Sequence, residues 1–100
     1  MTQLPLMLRA RRQTQAQLDC LIRQIEARAL RRVVRRRTRR RSSPGNIPWS
    51  REDERAYQAE IDALSFEHLV VIEALARKLD RQDRAIDIIT RRQDHARIHA

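Results

Sequence analysis

Proline and glycine are almost confined to one place in this chain. Apart from Pro5, they all fall within Ser42-Ser43-Pro44-Gly45-Asn46-Ile47-Pro48, and neither occurs from Trp49 to Ala100. These are the residues that end helices and permit tight turns, so a fold built on many turns is out of reach. A β-sandwich, a barrel or a glycine-dependent nucleotide-binding fold would need more of them. The apolar residues are mostly Leu, Ile, Val and Ala, with Trp49, Tyr57 and Phe66 the only aromatics. The expected class is all-α, two long helices in an antiparallel hairpin. A helix over about 5–41, a loop at 42–49 and a helix over about 50–97 would form a single helical domain, 1–100.

Periodicity supports both helices. Pro5 suits a first turn, and Thr14-x-x-Gln17 has the spacing of a capping box, so the first helix starts near Pro5 or is reinforced from Thr14. Its apolar stripe is Leu18, Ile22, Ile25, Ala29 and Val33, flanked by Leu21 and Leu30. Beyond Val34 no apolar residue occurs until Ile47, which leaves that end with nothing apolar to pack. Ser50-x-x-Asp53 caps the second helix, and Glu52, Asp53 and Glu54 occupy its electropositive first turn. The second stripe runs Tyr57, Ile61, Leu64, His68, Val71, Ile72, Leu75, Leu79, Gln82, Ile86 and Ile89.

Between Leu64 and Leu75 apolar residues occur almost all the way round the helix, and one partner helix covers only one face. Phe66, Leu69 and Val70 therefore call for a second contact. A coiled-coil or four-helix-bundle homodimer supplies it, with Ile61, Leu64, Phe66, His68, Leu69, Val71, Ile72, Leu75, Leu79, Ile86 and Ile89 as the dimer or partner interface. The alternative is a break near Asp62 or Ser65, either of which caps a new helix and gives three.

Charge is concentrated as sharply as the turn residues. Arg28, Arg31, Arg32, Arg35, Arg36, Arg37, Arg39, Arg40 and Arg41 put nine arginines in fourteen residues, with no acid and no lysine among them. Residues 1–50 carry thirteen Arg against Asp19 and Glu26, a net +11, and residues 51–100 carry −2, which together make the +9 of the whole chain. Guanidinium groups stay charged and fork onto phosphate or carboxylate oxygens, so these nine are the expected nucleic-acid-binding residues. Thr38 is the only other polar side chain in the block, so phosphate contact rather than base readout should lead. The competing reading is internal neutralisation by Glu52, Asp53, Glu54, Glu60 and Asp62, which a hairpin brings alongside. Over about a dozen residues the block resembles the arginine-rich helices of viral and phage RNA-binding proteins, a resemblance that implies insertion into an RNA groove. It also resembles a bZIP basic region, but in the wrong order relative to the apolar helix and without the characteristic asparagine.

Other chemistry is excluded by inventory. Cys20 is the only cysteine, which rules out an intrachain disulfide, and its place beside Leu21 suggests a small buried thiol. The apolar opening is cut off by Arg9, Arg11 and Arg12, too short for a signal segment, and no run approaches a membrane span, so a cytoplasmic protein is expected. His95 and His99 are spaced i, i+4 but lack a third ligand, and His68 reads as an interface histidine. Gln82 and Gln93 on the second stripe read as register-fixing polar residues, and Trp49 as a lid over the hairpin end.

No phosphate-cradling loop, carboxylate pair or nucleophile–base arrangement is present, so no enzyme, cofactor, metal or catalytic residue is expected. Membrane-surface binding ranks third, for want of large apolar anchors beside the arginines. Two functions remain. The first is a small basic helical nucleic-acid-binding regulatory protein. The second is a protein-binding modulator, an inhibitor or adaptor of the kind phages and plasmids encode, using its long apolar helix and a basic face against an acidic protein surface.

Overall fold

The computed structural model describes residues 3–40 and 47–99, and all regular structure among them is helical. In order, α1 spans Gln3–Arg40, α2 Arg51–Glu67 and α3 Leu69–His99. Residues 42–46 of the expected loop lie outside the described residues. The chain divides into two compact units, one of Met1–Asp19 with Val71–Ala100 and one of Cys20–Val70. No helix among the described residues is long and apolar enough to cross a membrane.

The start of α2 is set by local chemistry. Ser50 is extended (φ −96°, ψ 170°) and its Oγ accepts the Asp53 N–H at 3.1 Å, while the Ser50 N–H donates to Asp53 Oδ2 at 2.9 Å. Two backbone donors that a bare helix end would leave unpaired are thus satisfied reciprocally. Thr14 behaves differently from expectation. It lies within the continuous α1, 2% exposed, and its hydroxyl donates back to the Ala10 carbonyl at 3.1 Å, as a mid-helix threonine does when it caps nothing.

The second helical stretch is two helices, as in the three-helix alternative, but the break is elsewhere. His68 interrupts it at φ −102°, ψ 13°, with its N–H still reaching the Leu64 carbonyl at 3.1 Å. Asp62 and Ser65, the expected break points, are interior to α2. No glycine or proline stands near this interruption, and a run of three β-branched residues such as Val70-Val71-Ile72 does not explain it, since Ile88-Ile89-Thr90 lies in uninterrupted α3.

In the Cys20–Val70 unit, Ile25, Ala29, Val33 and Leu64 are buried. Ile22, expected in the stripe, is exposed, while Leu21 is half-buried and Ile25 buried. In the other unit Thr14 and Leu79 are buried, with Met7, Ala10, Leu18, Ile72, Leu75, Ile86 and Ile89 half-buried. Val71, also expected to face inward, is half exposed beside the His68 interruption.

Candidate nucleic-acid interface

Cross-helix geometry sorts the arginine block. Arg32 Nη1 donates to Glu60 Oε2 at 2.9 Å, and Arg36 Nη2 pairs with Glu60 Oε1. Glu60 is only 8% exposed, so α2 buries a carboxylate that two guanidinium groups neutralise. Its carboxyl is held below the usual glutamate range, first by the Arg32 hydrogen bond and also by Arg36, against the opposing effect of burial.

Arg37 is anchored by a separate set of partners. Its Nη2 donates to the Ile47 carbonyl at 2.7 Å and the Pro48 carbonyl at 3.4 Å, and its Nε lies 3.4 Å from Asp53 Oδ2. The same guanidinium stands 5.5 Å over the Trp49 ring, a cation–π distance. Trp49 packs edge-on against Tyr57 at 6.3 Å, and its Nε1–H donates to Glu54 Oε2 at 2.9 Å. That bond, with a second from Gln58, lowers the Glu54 pKa. Trp49, itself exposed, thus bridges Arg37 of α1 to Glu54 and Tyr57 of α2.

Four arginines are left over. Arg28, Arg31, Arg35 and Arg39 are exposed and make no ion pair among the described residues. They recur at i, i+3, i+7 and i+11, which at 3.6 residues per turn places them within an arc of about 80° along about 16 Å of helix. Asp19 and Glu26, the acids of α1, fall outside that arc. Thr38 donates to its own helix at the Val34 carbonyl, 2.9 Å away. Arg41 and the side chain of Arg40 lie outside the described residues.

The expected interface residues separate as well. Leu64 and Leu79 are consumed within the chain, and Ile61, His68, Ile72, Leu75, Ile86 and Ile89 are half-buried. Phe66 (77% exposed), Leu69 and Val71 remain open, together with Val70 (79%). Cys20, expected to be buried, is exposed because it falls on the side of α1 away from Ile25, with the Gln24 amide 3.7 Å from its sulfur. Gln93 is likewise exposed. His95 and His99 are exposed with rings 4.2 Å apart, and no group of three metal-ligating side chains occurs among the described residues.

In the unit of residues 1–19 and 71–100, Met7, Ala10, Lys78, Arg81, Gln82 and Ala85 line a cavity of about 370 Å³. The buried Gln82 Oε1 has no partner there among the described residues. The sequence names Glu60 as one of five acids within reach of the arginines, without singling it out as the one that two of them share. Its signal was an acid within an apolar run, between Tyr57, Ile61 and Leu64. Comparison with protein families, with curated proteins and with solved structures found no match.

Proposed function

We propose that this chain is a small basic regulatory protein that binds nucleic acid through phosphate contacts made by Arg28, Arg31, Arg35 and Arg39 of α1. In this reading α1 and α2 run antiparallel as a hairpin. The pairings support it, since Arg32 and Arg36 meet Glu60 while the later Arg37 meets the earlier Asp53. One observation carries the functional reading. After internal pairing is satisfied, four arginines still share one acid-free arc. Such an array suits a regular polyanion, and without amide side chains among them it favours backbone contact over base reading. The alternative, a protein-binding modulator, draws its support from a different face, the exposed Phe66 and Val70.

Titration of the protein into a labelled DNA duplex and into a structured RNA, across a salt series, tests the proposal. Replacing Arg28, Arg31, Arg35 and Arg39 with Gln should flatten the slope of log K against log salt by about 3 to 4 units on duplex, with helicity kept. Removing the same number of charges from α3, at Arg77, Arg81, Arg91 and Arg92, should change it less than half as much. Tighter binding to RNA than to duplex would favour insertion of the basic helix into a widened groove. No association of the unmodified protein with either probe at near-physiological salt would sink the reading.

A further inference from the structure

The cavity between α1 and α3 has walls and a mouth of different chemistry. Met7 and Ala10 of α1, with Gln82 and Ala85 of α3, are half-buried around it, whereas Lys78 and Arg81 of α3 are exposed at its edge. All six belong to the unit of residues 1–19 and 71–100. Its volume of about 370 Å³ falls among those of small-molecule sites, which run from about 300 to 1,000 Å³.

The helical repeat brings these groups together. Lys78, Arg81, Gln82 and Ala85 recur at i, i+3, i+4 and i+7, which is one face of α3, and Met7 and Ala10 at i and i+3 meet it from α1. The amide of Gln82 makes no hydrogen bond among the described residues, and its Oε1 is buried there without a partner. An orphaned acceptor is unfavourable until a donor meets it. Nothing fixes this amide, and its terminal torsion is soft, so the carbonyl is free to turn into the cavity.

The charge at the edge is equally unspent. Lys78 and Arg81 make no ion pair among the described residues. The acids of α3, Glu73, Asp80, Asp83, Asp87 and Asp94, all lie at least about 130° around the helix from the centre of this face. Asp19 lies about 13 Å of helix beyond Ala10 and accepts the Gln15 amide at 2.9 Å. A ligand at this face therefore meets two cations and no carboxylate.

These features select a ligand by elimination. A metal ion finds no His, Cys or carboxylate in the lining, and a plain hydrocarbon leaves the Gln82 acceptor and both cations unused. A phosphate polymer is too large to enter and gains nothing from Met7 and two alanines. We propose that the cavity binds a small aromatic carboxylate carrying one N–H donor, of the indole-acid class. The ring lies against Met7, Ala10 and Ala85, where the thioether and the neighbouring cations both favour an aromatic face. The carboxylate meets Lys78 and Arg81, and the N–H donates to Gln82 Oε1. This inference does not depend on nucleic-acid binding, and its test contains no nucleic acid.

The full chain, labelled at its methionine methyl groups, is titrated by NMR with indoleacetate, with methylindole, which lacks the carboxylate, and with naphthylacetate, which lacks the N–H. Indoleacetate should shift the Met7 methyl resonance with a Kd below about 1 mM. Ala85→Leu, which fills the cavity and keeps a good helix former, should abolish the shift while circular dichroism stays helical. Lys78→Gln with Arg81→Gln should weaken indoleacetate at least about fivefold more than methylindole. Gln82→Leu should weaken indoleacetate relative to naphthylacetate by about fivefold. No Met7 shift with indoleacetate up to about 10 mM, or a shift unchanged in Ala85→Leu, would overturn the site. Probe preferences untouched by the charge and Gln82 variants would overturn the ligand class.

Discussion

The two units of this molecule are both helices on helices, yet they are held in different ways. In residues 20–70 four apolar side chains are buried, a buried glutamate receives two guanidinium groups, and a third arginine is bound by two carbonyls, a carboxylate and an indole face. In residues 1–19 with 71–100, Thr14 and Leu79 are buried, the cross-helix pair of Arg11 with Asp83 is exposed, and the buried Gln82 amide oxygen has no partner among the described residues. The end of α1 beyond Val34, which has no apolar residue, is therefore tied down by the polar contacts of Arg36 and Arg37. Arginine stems and heads pack there in place of aliphatic residues, and the geometry of the fork selects their partners.

The largest expected contrast is in the two buried leucines. Leu64, fully buried, should lose about 3 to 5 kcal/mol on replacement by Ala, through lost transfer energy and the cavity left behind. Leu79, 9% exposed and so less completely enclosed than Leu64, should lose about 2 kcal/mol. Urea melts at one fixed protein concentration measure both. Equal losses would mean that the units are equally packed.

Next in size is Glu60. Its pKa is depressed in the folded state, so the unfolded chain binds the proton more readily, and stability must rise with pH across the interval between the two values. The contribution is complete above the ordinary glutamate pKa of about 4.3 and is lost as pH falls through the lower folded value. Glu60→Gln should cost about 1 to 3 kcal/mol at neutral pH, since two guanidinium groups lose their carboxylate, with solvent screening the more exposed Arg36. Thermal melts of the two proteins from pH 7 down to pH 2 should converge at the acid end. A constant gap at every pH would show that the charge on Glu60 is not what stabilises the contact.

Much of this was legible in the residues. The loop punctuation, the Ser50 cap with Asp53 and the helical character of the arginine block are local properties, and all of them describe the observed helices except where they rest on residues 41–46. A third helix was legible as the alternative, but its break falls at His68 rather than at Asp62 or Ser65, and no glycine or proline marks that position. Thr14 matched a capping pattern that the continuous α1 overrides. Least legible was the division of the arginines, because whether Arg32 or Arg31 meets Glu60 depends on a register set between residues 24 to 28 apart in sequence. Five carboxylates were in reach by composition, and among the described residues cross-helix packing pairs the arginine block with Glu60 and Asp53.

The smallest expected effect sharpens the comparison most directly. Arg11 and Asp83 make a 2.8 Å contact, as short as that of Arg32 with Glu60, but both side chains are well exposed (36% and 53%), whereas the Glu60 side chain is 11% exposed. Distance alone would rank the two pairs together. Exposure separates them, since a solvated pair gains little over its hydration, loses side-chain freedom and is screened by salt. A double-mutant cycle with Arg11→Gln and Asp83→Asn should return a coupling of about 0 to 0.5 kcal/mol that vanishes in 1 M salt. The matching cycle with Arg32→Gln and Glu60→Gln should return about 1 kcal/mol or more and keep most of it in salt. Equal couplings with equal salt dependence would show that burial of Glu60 does not distinguish the units, and the firm anchoring of the arginine block would then have to come from Arg37 and Trp49 alone.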